Sequence, residues 1–401
     1  MTTRVTVADE NFASSERFLL YKGYESGFNN DLMSLELAIG LAWITGRRLV
    51  YYGTGDGETP RHCRGGHFNH VPEGRRSLID NRYHPNVLDL VAPLPLPCHT
   101  LSDFREMGAS RKLETKDCLN HLHDSAFCSG GIPTAAESVA RLTFFAEKRP
   151  LLVDPPTEVW HLHRLNLGYY SHFFFDPPPG FHRVMEGVAI AEPYREVAAR
   201  VFKSLGDFGA IHVRLTDFRR DHPRQESDYI AEILHSLRAV FDPADLLVIL
   251  TDEPESRTFF ADVIDAFPRH VFLDEFIVRE HAADFRNLPF TDETAFGLVC
   301  NLVAGHARRF AGTPGSTFTG MVHRAILRRA LAMPKSRWLA DEPTIFRFIG
   351  RGFDTKPVSF ANAAYVETQD GPFSWNRIDL PIASGTKSWY REWPEAVVPM
   401  V

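Results

Sequence analysis

Leu246-Leu247-Val248-Ile249-Leu250 is the stretch that decides the fold. Five apolar residues in a row are the signature of a strand buried on both faces. Pro243 precedes the run and Thr251-Asp252-Glu253 follows it. Upstream, Ile230, Ile233, Leu234, Leu237 and Phe241 recur at helical spacing, with Ser227 placed to cap that helix. Before it, Phe208–Val213 reads as another strand, fed by a helix from Pro193 to Leu205 that runs into Gly206. Downstream come a helix over about 256–266, a strand at Val271–Leu273, and a long helix carrying Ala295, Leu298, Val299, Leu302 and Val303. A short strand at Arg309–Ala311 and a helix starting near Thr317 complete the series. Strict alternation of this kind predicts a doubly wound parallel α/β domain.

A second such pattern opens the chain. Phe18–Tyr21 reads as a strand, and Asp31–Thr45 as a helix with Leu32, Leu35, Ile39 and Ala42 on one stripe. Asn29 or Asn30 is placed to cap its start and Gly46 to stop it, and Arg47–Tyr52 follows as a strand. Residues 53–130 are rich in Gly, Pro, His and Arg, with only short regular segments such as Val87–Val91. Pro177-Pro178-Pro179-Gly180, after an aromatic run, predicts a hinge. The expected division is a Rossmann-like domain over 1–185, a second over 186–340, and an aromatic, irregular extension over 341–401 that periodicity does not place.

Composition narrows the class. Hydrophobic residues make up 44% and charged residues 24% of the 401, as in globular proteins. A net charge of −7 argues against nucleic acid as a partner. No run approaches the ~18 apolar residues of a membrane span, so no membrane partner is expected. The polar, acidic start and an odd set of scattered cysteines fit reduced thiols and a cytoplasmic setting. Cys118, His121, His123 and Cys128 match no standard zinc spacing, and no metal is expected.

The residues that could carry chemistry fall at the ends of the expected strands, where open α/β sheets bind ligands. Glu25-Ser26-Gly27-Phe28-Asn29-Asn30 lies between the first strand and helix, where free backbone N–H groups and a helix dipole suit an anion. His212 and Arg214 stand two apart, so both side chains leave the same face of their strand while Ile211 and Val213 take the core face. Arg214 either pairs with Asp217 or forks onto a diphosphate, a bidentate task suited to Arg. In Gly312-Thr313-Pro314-Gly315-Ser316-Thr317-Phe318-Thr319, hydroxyls and backbone N–H groups meet at a helix start, an arrangement that cradles phosphate without metal. The chain has neither a Walker Lys nor a G-x-G-x-x-G fingerprint, which removes P-loop and dinucleotide readings. Trp160, His161 and His163 suit either an acceptor wall or core packing.

Taken in order, these clusters resemble the protein O-fucosyltransferase family of glycosyltransferases. The matching elements are Gly27-Phe28-Asn29-Asn30 with Arg47-Arg48-Leu49-Val50, His212-x-Arg214-x-x-Asp217-Phe218, and Thr251-Asp252-Glu253. His306-Ala307-Arg308, Phe310-x-Gly312-Thr313 and Ser316-Thr317-Phe318-Thr319 complete the series. The resemblance implies a GT-B arrangement, in which two Rossmann-like domains face a cleft, and an inverting, metal-independent transfer of fucose from GDP-fucose. The acceptor would be a hydroxyl of a peptide, a protein or a small glycoside. Arg214 would hold the departing diphosphate and Glu25 would serve as base. Gly27, Phe28, Asn29, Asn30, His212, Asp217, Thr251, Asp252, Ser316, Thr317, Phe318 and Thr319 would bind the donor.

This chain departs from the family in two places. Cys300, beside Asn301, stands 16 residues before Ser316, where close relatives carry an Asp that reads guanine. Ser26 separates Glu25 from the loop glycine, where some relatives place the Glu directly before it. Two other readings stay open: the same fold with another nucleotide deoxysugar as donor, and a catalytically silent nucleotide-sugar binding module.

Overall fold

The computed structural model describes residues 17–22, 27–52, 75–80, 86–107, 118–121, 158–163, 184, 187–216, 225–253, 256–313, 316–331, 345–349 and 358–359. The chain divides into two compact units, one of residues 1–68 and 84–192, the other of 69–83 and 193–401.

The first unit is built on β1 (Phe18–Lys22), α1 (Phe28–Thr45), β2 (Arg48–Tyr52), β3 (Cys98–His99), α2 (Leu101–Glu106), β4 (Cys118–His121) and β5 (Val159–His163). Its five strands lie in the order β3-β2-β1-β5-β4, all parallel. β1 is at the centre, and Leu19, Leu20 and Tyr21 are buried on both faces, as are Leu49, Val50 and Tyr51 of β2. Arg47, expected as a strand residue, is instead a buried clamp. Its Nη1 donates to the carbonyls of Phe18 (3.2 Å) and Glu158 (3.0 Å), tying the amino ends of β1 and β5 together.

α1 starts earlier than the sequence suggests. Gly27 is its N-cap, with no side-chain capping bond, so Asn29 and Asn30 sit inside the first turn rather than capping it. The helix is apolar almost all round: Leu32, Met33, Leu35, Ala38, Ile39, Leu41 and Ala42 are buried, and packing rather than a cap sets its start. Gly46 ends it in the left-handed region at φ 60, as expected.

The second unit follows the alternating pattern. It comprises α3 (Glu192–Leu205), β6 (Gly209–Val213), α4 (Glu226–Arg238), β7 (Leu247–Thr251), α5 (Ala261–Ala266) and β8 (His270–Phe272). Then come α6 (Leu273–Glu280), α7 (Ala282–Arg286), α8 (Glu293–Ala304), β9 (Arg309–Gly312), α9 (Thr317–Leu331), β10 (Ile345–Phe348) and β11 (Val358–Ser359). The strand order is β11-β10-β9-β6-β7-β8, parallel except for β11. One core joins Ile211 and Val213 of β6, Leu247 and Ile249 of β7, and Ile233 and Leu237 of α4.

Three details differ from the sequence reading. Gln225, not Ser227, precedes α4, so Ser227 lies in its first turn. Leu273 begins a helix instead of ending a strand, and α6 and α7 fill the stretch before α8. β10 and β11, beyond residue 340 where periodicity places nothing, add to the edge of this sheet.

Candidate functional site

Chain order through the second sheet runs outward from β6 to β7 and β8, then returns to the other side of β6 with β9 and β10. The strand order reverses between β6 and β9, and the crevice at the carboxyl ends of such a pair is where doubly wound sheets take ligands. His212 and Arg214 stand at the end of β6, and the stretch from Thr313 to Ser316 leaves the end of β9. The structure therefore brings two of the clusters read from sequence onto one switch point.

His212 is buried against the first turn of α9. Its Nδ1 is 3.0 Å from Thr319 Oγ1, and its ring stacks on Phe318 with centroids 4.3 Å apart. Burial, helped by the charge of Arg214, pushes its pKa down to about 3, so the ring is neutral near pH 7. The unfolded chain takes this proton near 6.5 and the folded chain only near about 3. The stability linked to the neutral ring is complete above pH 6.5 and is lost as pH falls through that window. His212→Gln, which cannot charge, should flatten the fall of melting temperature from pH 6.5 downward. An unchanged slope would mean that another group titrates.

Thr313 locks the end of the strand. Its hydroxyl donates to the His212 carbonyl at 3.2 Å, accepts from the Arg214 N–H at 2.9 Å, and lies 3.1 Å from the Tyr229 hydroxyl. With its single proton used on the carbonyl, Tyr229 is the donor in the last bond. Asp252 braces the same loop from β7. Its Oδ1 accepts from Leu215 N–H at 2.7 Å, and its Oδ2 from the Thr216 hydroxyl at 2.5 Å and from Arg214 Nε at 3.4 Å. Arg214 is thus paired with Asp252, and its side chain keeps 27% exposure.

Ser316 precedes α9 and its carbonyl accepts the Gly320 N–H at 3.0 Å. Its hydroxyl is buried and has no hydrogen-bond partner among the described residues. A buried hydroxyl at the start of a 15-residue helix, beside the N–H groups of the helix's first turn, suits an anion.

The remaining expected residues are placed as follows. Thr319 is fully buried and holds His212, and it also crowds Gly312, where an added Cβ would come within 2.5 Å of Thr319 Cγ2. The Thr251 hydroxyl accepts the Glu253 N–H at 3.1 Å, and Thr317 is half-buried on the first turn of α9. In the first unit, Phe28 is buried and Asn29 half-buried, and the Asn30 side chain lies outside the described residues. Gly27 has φ −60, which any residue adopts, and an added Cβ there would meet nothing within 4 Å. Neither strain nor packing calls for glycine at that place. Glu25 and Asp217 lie outside the described residues.

Trp160 is fully buried in β5, so the core reading of that residue holds, and the Tyr52 hydroxyl is hydrogen-bonded to His161 Nε2. The His163 side chain is outside the described residues, as are His123, Cys128 and the proline-rich stretch at 177–180. Among the described residues no group of three His, Cys, Asp or Glu is placed to hold a metal ion. No helix among them is long and apolar enough to cross a membrane.

Cys300 is buried on α8, and burial raises its thiol pKa well above the usual range. Asn301 beside it donates from Nδ2 to the Phe318 carbonyl at 3.0 Å, joining α8 to the start of α9. Sequence reasoning quoted Thr313 and Asn301 but gave neither a role, and Tyr229 carries no signal that would have singled it out.

No family model matches the chain, and no curated protein matches it. Solved structures similar to it include NodZ alpha-1,6-fucosyltransferase soaked with GDP-fucose, at 13% identity and a TM-score of 0.44 over 77% of this chain and 92% of that one. POFUT1 in complex with GDP is similar at 10% identity and a TM-score of 0.44, over 84% of this chain and 99% of that one. A mutant of Arabidopsis thaliana FUT1 in complex with GDP is similar at 10% identity and a TM-score of 0.42, over 77% of this chain and 68% of that one.

Proposed function

We propose that this protein is an inverting glycosyltransferase that moves fucose from GDP-fucose to a hydroxyl of a peptide, protein or small glycoside. The observation that carries the reading is the pairing at the β6–β9 switch point. Arg214 and the buried hydroxyl of Ser316, which has no hydrogen-bond partner among the described residues, follow the ends of the adjacent strands β6 and β9. Donors fixed in this way stabilise the charge that grows on a departing diphosphate without having to reorganise.

In this reading the acceptor oxygen forms its bond to the anomeric carbon as the bond from that carbon to the diphosphate breaks. The attack comes from the opposite face and inverts the centre. The acceptor proton passes to Glu25, and Arg214 with the α9 N-terminus takes the negative charge of GDP. The loop at Gly27 contacts the sugar.

One observation favours a second donor. A buried neutral thiol at Cys300 offers no carboxylate to pair with the N–H groups of guanine, so a nucleotide deoxysugar with another base is the alternative. The donor charge is met by Arg214 and backbone donors in either case, so no metal is required. Transfer from GDP-fucose should therefore be undiminished in excess EDTA, and an absolute Mg²⁺ or Mn²⁺ requirement would contradict the reading.

A further inference from the structure

Residues 75–80 come from the long stretch between β2 and β3, yet they belong to the second unit. They are fastened there by several bonds. Arg75 Nη1 donates to Glu293 Oε2 at 3.0 Å, and its Nε is 3.6 Å from Asp274 Oδ2. Its guanidinium lies over the Phe296 ring at 4.7 Å. The Asp80 N–H donates to the Thr291 carbonyl at 2.9 Å, and Arg286 Nε donates to the Ser77 carbonyl at 3.4 Å. Arg257 completes the cluster with a 2.7 Å bond to Asp274 Oδ2, so buried carboxylates and guanidiniums alternate. Arg75 itself is only 8% exposed.

The place of this cluster matters. Glu293 and Phe296 lie on the first turn of α8, and Cys300 follows on the same face at helical spacing. Next to Cys300, Asn301 holds the carbonyl of Phe318, whose ring stacks on His212, two residues from Arg214. Glu293 precedes Asn301 by eight residues, about 12 Å of helix. Arg75 thus grips α8 at one end and the candidate site leans on it farther along.

We propose that Arg75 is a positioning residue: by clamping α8 through Glu293 and Phe296 it sets the Asn301–Phe318 contact and, through it, the ring stack and helix start that receive the nucleotide. Its effect on nucleotide affinity rests on the reading given above, while its effect on the start of α9 does not. A contiguous chain of packed and hydrogen-bonded groups is the physical means by which such an effect travels. Losing the Arg75 fork would remove a hydrogen-bonded counter-charge from the buried Glu293 carboxylate, which favours a shift of α8.

The test combines Arg75→Lys, which keeps the charge but loses the fork, with Glu293→Gln as a second variant, and reads the intact protein in two ways. Hydrogen exchange at the Gly320 amide, which bonds the Ser316 carbonyl, should speed up by about tenfold or more in both variants, with the Gly46 amide of the first unit unchanged. GDP titration should show affinity falling by about tenfold, and Arg75→Lys with Asn301→Ala together should lose little more than the worse single variant. Unchanged Gly320 exchange in both variants overturns the proposal, as does a double variant whose losses simply multiply. If the wild type binds no GDP while Gly320 still responds, the positioning role stands and the nucleotide reading falls.

Discussion

Arg214→Ala lowers turnover by about 10²–10³, with little change in melting temperature, if this residue stabilises the departing diphosphate. That is the usual cost, ~2.7–4 kcal/mol, of removing one fixed donor from developing negative charge. The stability change is small because the side chain keeps 27% exposure and its 3.4 Å ion pair with Asp252 is correspondingly screened. The loop is held independently, by Thr313 on the Arg214 N–H and by Asp252 on Leu215 and Thr216. Arg214→Lys keeps the charge but not the planar fork, so it should recover little of the loss. Steady-state rates and thermal melts of both variants check this. A fully active Lys variant would make Arg214 a loop residue.

Glu25→Gln is expected to lower turnover by about 10²–10⁴, the range of positioned acid–base help. The substitution keeps size and removes the base. Glu25 lies two residues before Gly27, where backbone and packing leave the glycine unexplained and open space stands over it. If Arg214 and the α9 start hold the diphosphate as proposed, GDP affinity should stay within about threefold. Turnover equal to the wild type would send the acceptor proton elsewhere, for instance directly to the departing phosphate.

The parts of the fold that were legible are those whose burial is written locally. Leu247–Leu250 had to be a strand covered on both faces because no polar residue interrupts it, and β7 is an interior strand of the second sheet, paired with β6 and β8. Gly46 and Gly206 mark helix ends, each at positive φ, because only glycine takes that conformation cheaply. What misled was the choice among equivalent local signals. Asn29, Asn30 and Ser227 are all good caps, yet α1 starts before its pair, at the buried Phe28, and α4 starts one residue before Ser227, at the exposed Glu226.

β10 could not be placed because a parallel strand is defined by its partner, and Ile345–Phe348 pairs with Arg309–Gly312 across a long crossover. Part of the candidate site was legible because it is written at the end of one local element. His212 and Arg214 are polar residues ending an apolar strand, a pattern visible in the sequence, whereas the packing of the His212 ring on Phe318 and Thr319 was not. The braces were not legible: Thr313 meets Arg214 at a separation of 99 residues, and Arg75 meets Glu293 at 218, distances over which sequence spacing says nothing.

Calorimetric titration of the metal-free wild-type protein with GDP, and with UDP in parallel, tests the central claim most directly. The account predicts saturable, one-to-one binding of GDP that is weakened in Arg214→Ala and absent or much weaker for UDP. Equal binding of the two nucleotides would contradict the guanine donor, and binding of neither would contradict a nucleotide site at the β6–β9 switch point.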